Sequence, residues 1–152
     1  MKLSENQVLQ IAKLAREQGE RLDLSRRDLS WLGLYGADLR EADLREADLR
    51  GTVLTRARLA GADLSRARLV GSSLVQADLR GAVLNEAVLF GATLGRANLE
   101  GAVLRDAHLE GADLRHVDLG QADLRGAVYD PYTAWPVGFD PEAAGAVFEM
   151  SS

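Results

Sequence analysis

Residues 37–50 read ADLREADLREADLR, and the same five-residue cycle continues before and after them. Every fifth residue from Leu24 to Leu124 is leucine, and the residue two places before each leucine is usually alanine. This period fits neither an amphipathic helix, which repeats near 3.6 residues, nor a flat strand, which repeats at two. Within one cycle the alanine and the leucine face the same side of an extended chain, so a bend is needed after every cycle to bring all of them inside. The pattern therefore predicts a coil whose interior holds leucine and alanine.

The glycines indicate how many cycles make one coil. Glycine is the second residue after leucine at every tenth position from Gly51 to Gly111. A coil of four cycles, twenty residues, stacks these glycines in two columns on opposite sides, whereas a coil of three cycles would scatter them. Glycine suits a bend whose backbone conformation is costly for a side chain. In this register neighbouring coils lie roughly 4.8 Å apart. A ladder of surface ion pairs is then expected in one outer column, which reads Arg26, Glu46, Arg66, Glu86 and Asp106.

With this cycle running through residues 22–129, the chain resembles the pentapeptide-repeat proteins, of the kind common in photosynthetic prokaryotes. The resemblance implies an all-β fold, a right-handed, four-sided β-helix with leucine at its central inward position. A solenoid of about five coils would use nearly the whole chain as one domain, residues 1–152. We expect an N-terminal helical cap over residues 1–21, the β-helix over residues 22–129 and a short C-terminal cap over residues 130–152.

The N-terminal segment has the signals of a helix from Ser4 to Gln18. Ser4 and Gln7 form a capping-box pattern, and Gly19 is a plausible stop. An open solenoid end exposes unpaired backbone and apolar interior, so this helix is expected to cover the first coil. Trp31 and Tyr35 are expected to pack beneath it.

The C-terminal segment leaves the repeat after Asp130 and contains three prolines. Trp135 and Phe139 are expected to plug the last coil. A short helix is predicted over residues 141–148, with Asp140 as its N-cap and Pro141 at its first position.

Composition argues against several classes of partner. The chain carries a net charge of −5, and residues 22–129 contain 16 acidic residues against 14 arginines, a net of −2. Strong electrostatic steering by one sign of charge is therefore not expected. There is no cysteine, the first residues lack the apolar core of a signal peptide, and no apolar run approaches the roughly 20 residues of a membrane span. These features predict a cytoplasmic protein without membrane contact.

The repeat also accounts for the residues that could suggest catalysis. His108 and His116 fall on different sides of the coil, and a metal site would need a third ligand. The aspartates that precede leucine belong to the cycle, and the glycines recur singly rather than in a phosphate-binding loop. No enzymatic activity, cofactor or metal is therefore expected. Arg56, Gln76, Arg96 and His116 share one corner, but this weakly basic strip lacks aromatic residues, so direct nucleic-acid binding is not expected.

Two functions from different classes follow. The flat sides of a rigid rod suit docking of a protein partner, so the leading interpretation is a non-enzymatic interaction scaffold or regulator, monomeric or weakly dimeric. The alternative comes from the resemblance, because some pentapeptide-repeat proteins mimic duplex DNA and inhibit or protect DNA gyrase. Duplex DNA carries a charge about every 1.7 Å. A nearly neutral rod imitates it poorly, so mimicry ranks second.

The candidate docking site is an apolar patch on the middle coils. Phe90 is the outward-facing aromatic residue of that region, and a large exposed ring gains nothing from strand propensity that valine would not supply. The competing interpretation is that β-branched residues simply favour strand surfaces. The predicted patch consists of Val70, Val75, Val83, Val88, Phe90 and Val103.

Overall fold

The fold comes from a computed structural model of the chain, and the structure describes residues 2–150. It begins with one helix, α1, Glu5–Glu17. A long coil of parallel β-bridges follows, and two short strands end the chain, β1 at Val128–Tyr129 and β2 at Val147–Phe148. Met1, Ser151 and Ser152, which the predicted caps include, lie outside the described residues.

The coil has the twenty-residue register that the glycine columns predict. Each bridge joins residues twenty apart, except that Asp113 pairs with Ala134 where the chain leaves the repeat. The ladder that starts at Asp23 passes one residue per coil until it reaches Asp123. Four ladders run in parallel and define four sides of the solenoid. We call them the first, second, third and fourth sides, and they begin at Asp23, Asp28, Gly33 and Asp38.

Each side is one bridge wide, because a turn interrupts the chain after every cycle. Leu44 N donates to Asp63 O at 2.8 Å, and Asp63 N donates to Ala42 O at 2.9 Å. The chain then turns, with Ala47 N donating to Leu44 O at 3.1 Å. The predicted all-β fold is thus built from single-residue bridges. Within residues 2–150, a continuous pair of strands forms only where β1 meets β2, with Val128 opposite Val147 and Tyr129 opposite Phe148.

The corner residues share a left-handed backbone conformation. The second residue after leucine has a positive φ whether it is glycine, as at Gly81 (66°), or not, as at Glu46 (59°). A turn with a positive φ at its third residue but not at its second is of type II, and the residue before each corner, such as Arg45, is not among those with positive φ. Glycine is favoured at these corners but is not required, which explains how charged residues can occupy the same columns.

Leucine and alanine fill the interior. The central leucines from Leu24 to Leu114 are 1% exposed or less. Thr52 and Ser72 replace the inward alanine in two cycles, and their hydroxyls donate to the carbonyls of Leu29 and Leu69, both at 2.8 Å. The two polar substitutions therefore leave no hydroxyl unpaired in the core.

The helix α1 covers the first coil, as the sequence predicts. Ser4 is its N-cap and forms the capping box with Gln7. Val8 and Ala12 are buried against the coil. The Glu5 carboxylate accepts a hydrogen bond from the backbone N–H of Gly33 at 2.8 Å, which satisfies a donor on the open edge. A side chain at residue 33 would press on this carboxylate, so glycine fits there.

The expectation for Trp31 and Tyr35 is wrong. Their side chains are 74% and 61% exposed and do not pack beneath α1. Trp31 instead occupies a corner with φ 64°, and its ring lies over Gly51 in the next coil, where any side chain would collide with it. Val8 and Ala12 of α1 already cover the end of the coil, and Gly51 has no side chain, so the Trp31 indole can lie over that corner.

The C-terminal segment closes the last coil in a partly unexpected way. Trp135 and Phe139 pack against the core with their rings stacked at 5.2 Å, as predicted. The predicted helix over residues 141–148 is wrong. The backbone N–H of Ala143 donates to Asp140 Oδ1, but the chain only turns before residue 145 and then forms β2. Pairing with β1 satisfies the backbone of the final coil, and this tertiary contact outweighs local helix propensity.

Candidate protein-interaction surface

Six aspartates of the solenoid are each paired with an arginine of the same cycle. Aspartate and arginine on either side of a leucine point to the same side of the chain, so the guanidinium can grip the carboxylate with two parallel hydrogen bonds. Arginine Nε lies 2.8–2.9 Å from Oδ1, and Nη2 lies 2.6–2.8 Å from Oδ2. The pairs are Asp38–Arg40, Asp43–Arg45, Asp48–Arg50, Asp78–Arg80, Asp113–Arg115 and Asp123–Arg125.

These pairs hold the carboxylates in their charged form. The hydrogen bonds from Arg40 and Arg45 lower the pKa of Asp38 and of Asp43 to about 2. Two arginines, Arg125 and Arg105, lower the pKa of Asp123 further. The charge of these six carboxylates is therefore balanced within their own cycles, whereas Asp23, Asp28 and Asp63 have serine in place of the arginine.

The outer column of alternating charges forms two separate pairs. Arg26 Nε lies 3.5 Å from Glu46 Oε1, and Arg66 Nε lies 3.0 Å from Glu86 Oε2. All four side chains are well exposed, so each pair contributes about 0–1 kcal/mol.

The two histidines lie apart. His108 Nδ1 is 3.5 Å from Glu110 Oε1 on the second side, whereas His116 is exposed at a corner after the third side. Burial raises the pKa of Glu110, and one of its oxygens has no hydrogen-bond partner among the described residues. Residues 2–150 contain no cluster of three or more histidine or carboxylate side chains arranged for a metal ion. A surface hollow of about 740 Å³ lies between the end of α1 and the first coil, lined by side chains such as Arg16 and Asp38, which already pair with each other at 3.6 Å.

The predicted apolar patch is distributed over three sides. Val70 and Phe90 stack in adjacent coils of the second side, where Gly71 N donates to Phe90 O at 2.9 Å, and Val88 lies two residues before Phe90. Their side chains are 36% exposed for Val70 and 42% for Phe90. Val75 lies around the glycine corner on the third side. Val83 pairs with Val103 on the first side, behind the corner that carries Glu86. Val70, Val88 and Phe90 thus share the second side, and Val75, Val83 and Val103 lie around its two corners, as the twenty-residue register predicts.

Further exposed apolar residues lie beyond the predicted patch. Val53 on the third side is 41% exposed, and Trp31 and Tyr35 stand near it at the end of the solenoid that carries α1. Val53 occupies the outward position before Leu54, so the five-residue register is sufficient to predict that it is exposed. The sequence shows that the two aromatic residues are present, but their exposure depends on how α1 packs on the first coil.

The third side differs from the others by its lack of charge. Its outward residues over four coils are small, β-branched or aromatic, and the hydroxyls of two of them, Thr55 and Ser73, lie 2.9 Å apart. One border is the corner of Gly51, Gly71 and Gly91, and the other is the corner of Arg56, Gln76, Arg96 and His116. The uncharged positions are Gly33, Tyr35, Val53, Thr55, Ser73, Val75, Thr93 and Gly95.

Comparison with known proteins agrees with the geometry. A model of the pentapeptide repeats matches eight copies, over residues 34–71, 67–106 and 92–128. Comparison with curated proteins gives no match. The chain is similar to the crystal structure of HetL, a pentapeptide-repeat protein involved in heterocyst differentiation regulation in the cyanobacterium Nostoc sp. strain PCC 7120. The two share 26% identity over 86% of this chain and 82% of HetL, with a TM-score of 0.51.

A second similar structure is trypsin-treated QnrB1 carrying R167E, a plasmid-mediated fluoroquinolone resistance protein. It shares 23% identity over 84% of this chain and 57% of QnrB1, with a TM-score of 0.55, which supports the fold alone. These relatives imply the right-handed, four-sided form of the β-helix. α1 is too short to cross a membrane, and residues 2–150 contain no other helix long and apolar enough to do so. The repeat, the twenty-residue ladders and the family match together identify the chain as a member of the pentapeptide-repeat family.

Proposed function

We propose that this chain is a non-enzymatic, cytoplasmic scaffold that regulates a protein partner by docking it on the side of the solenoid. The observation that carries the proposal is the exposed pair Phe90 and Val70 on the second side. The fold needs no large apolar residue there, because the inward leucines already fill the core. Clustered exposed apolar side chains are typical of interaction sites.

The surrounding surface is consistent with binding. Phe90 meets the His108 ring edge-on at 5.7 Å, which holds the aromatic side chain in a defined orientation. Val88 lies beside it on the same side. An ordered aromatic anchor among smaller apolar neighbours is the usual centre of a protein interface. A regulatory role also agrees with the similarity to HetL, which is described as acting in the regulation of differentiation.

Mimicry of DNA is the second candidate, and the charge geometry disfavours it. Six aspartates that could stand in for phosphates are each held by an arginine within the same cycle. Paired charges project little field at a distance. The chain should therefore leave gyrase supercoiling unaffected when it is added in excess. Inhibition or protection of gyrase would favour the second candidate over the scaffold.

Capture of a partner by the purified, immobilised chain tests the scaffold. Phe90→Arg should abolish the capture without lowering the melting temperature, because Phe90 lies outside the core. Val103→Arg is a matched control on the first side and should retain capture. Equal capture by wild type and Phe90→Arg would remove the second side from the proposal.

A further inference from the structure

The third side and its basic corner point to the chemistry of a partner. We propose that this side binds one α-helix of a partner protein, laid along the solenoid axis, with an apolar stripe and a row of carboxylates on one flank. The inference rests on the proposed scaffold function, which it deepens, but it depends on residues other than Phe90.

The first step is the unpaired positive charge. Of the twelve arginines between residues 37 and 127, ten contact a carboxylate. Of these twelve, Arg56 and Arg96 alone have no such contact among the described residues. Both lie in the same corner column, two coils apart, and Arg56 Nε donates only to the uncharged Gln76 Oε1 at 3.0 Å. His116 follows one coil later in that column. The two arginines of residues 37–127 that have no carboxylate partner therefore lie in one corner column.

The second step is the surface that this row borders. Outward positions of the third side carry no charge from Gly33 to Gly95, whereas each of the other three sides carries charged residues in most of these coils. Val53 and Val75 provide apolar contact, and the far border is a corner that is open at Gly71 and Gly91 and carries the Trp31 ring over Gly51. A partner can therefore approach closely while its flank faces Arg56 and Arg96. Charge complementarity requires that this flank be acidic.

The third step is the secondary structure of the partner. The backbone groups of the solenoid sides bond to the coils above and below, as Val53 N does to Leu32 O and Leu54 N to Ser73 O. The third side therefore offers no free edge to an added strand. An extended peptide would lose water from its own N–H and C=O groups without replacement, which is costly. A helix satisfies these groups internally and can lie on an uncharged surface.

The fourth step is spacing. Arg56 and Arg96 are separated by two coil spacings, roughly 9.6 Å. Two turns of helix, seven residues, advance about 10.5 Å. Carboxylates one heptad apart therefore meet both guanidinium groups while the apolar stripe stays on Val53 and Val75. An acidic amphipathic helix matches the row in both sign and period.

The test uses a three-heptad helical peptide, stapled on its solvent face, with leucine and alanine on the apolar stripe and glutamate on one flank. A second peptide carries lysine at those flank positions. Fluorescence anisotropy with the full chain at low salt should show binding of the glutamate peptide and at least about tenfold weaker binding of the lysine peptide. Equal binding of the two peptides, or no binding of either, would overturn the inference.

Variants locate the site. Arg56→Gln with Arg96→Gln should weaken the glutamate peptide about tenfold. Arg26→Gln with Arg66→Gln removes the same charge from corner residues of the same backbone conformation and should change affinity less than twofold. Val53→Asp should also weaken binding, and it preserves the fold because aspartate is the commonest residue before leucine in the cycle. Wild-type affinity of the Arg56 and Arg96 double variant for the glutamate peptide would reject this inference without rejecting the scaffold function. Loss of partner capture in Phe90→Arg still supports the scaffold.

Discussion

Arg45 grips Asp43 with two hydrogen bonds, 2.8 Å from Nε to Oδ1 and 2.6 Å from Nη2 to Oδ2, across the leucine between them. Asp43 is buried whereas its partner is half-exposed, and this arrangement lowers the pKa of Asp43 to about 2. The pair belongs entirely to one cycle, so it stabilises the local extended conformation rather than the contact between coils.

Stability should fall in a defined acid range. The pKa of Asp38 and of Asp43 is lowered from 3.8 to about 2 on folding. Protonation therefore favours the unfolded chain, so this contribution is complete above pH 5 and is lost as the pH falls through 4 towards 2. Denaturant unfolding between pH 7 and pH 2 measures it. Arg45→Gln should lower stability at pH 7 and reduce the part that is lost between pH 5 and pH 2, because the pKa of Asp43 in the folded chain then returns towards 3.8. An acid loss of unchanged size in that variant would contradict the assignment.

Glu110 should behave in the opposite way. Burial raises the pKa of its carboxyl, and the nearby Asp130 and Glu149 raise it further. A raised carboxyl pKa means that the charged form disfavours folding, so the cost is present at neutral pH and disappears as the pH falls below the usual Glu value. Glu110→Gln should therefore raise the melting temperature at pH 7 and have little effect near pH 4. A lower melting temperature at pH 7 would show that the contact with His108 outweighs burial.

Substitutions at mid-solenoid separate inside from outside. Leu79 is fully buried, so Leu79→Asp leaves a carboxylate without partners in the core and should lower stability by more than about 4 kcal/mol or prevent folding. Arg80→Gln, one residue later, removes an exposed pair with Asp78 and should cost about 0–1 kcal/mol. Circular dichroism during denaturant titration compares the two, and similar losses would refute the inward assignment of Leu79.

Corner glycines should differ from one another. Gly81 has φ 66° and open space where a side chain would project, so Gly81→Ala should cost about 1–2 kcal/mol from backbone conformation alone. Gly51→Ala should cost more, because the Trp31 ring occupies that space. Combining it with Trp31→Ala should return the cost to the Gly81 value, which a double-mutant cycle of unfolding free energies measures. Additive effects would place Trp31 elsewhere.

The helical cap should keep the solenoid monomeric. Deleting residues 1–18 exposes the first coil and frees the backbone N–H of Gly33, which Glu5 now binds. Open edges of this kind associate. Light scattering after gel filtration should show oligomers or aggregates, whereas Lys13→Gln on the exposed face of α1 should remain like the wild type. A monomeric, equally stable deletion variant would show that the helix is not a lid.

The sequence predicts the periodic part of the molecule well. Leucine every fifth residue and glycine every tenth determine which side chains are inward and which coils are neighbours, and both follow from local spacing. The misplaced residues depend on contacts between elements. Trp31 turns outward because Val8 and Ala12 already close the coil, and residues 147–148 form a strand because β1 lacks a partner on that side.

The candidate surface divides in the same way. Outward positions such as Val53, and the corner between Val83 and Phe90, can both be read from the register. That Arg56 and Arg96 have no carboxylate partner, unlike the ten other arginines of residues 37–127, follows only from the three-dimensional contacts.

The containment of each Asp-Leu-Arg pair within one cycle makes the coil a unit that can be copied. Duplicating or deleting twenty residues leaves all of these pairs intact and leaves the corner conformations as they were. Each added coil would lengthen the rod by roughly 4.8 Å. The length of the solenoid can thus change by whole coils, and the distance between α1 at one end and the C-terminal segment at the other would change by the same step.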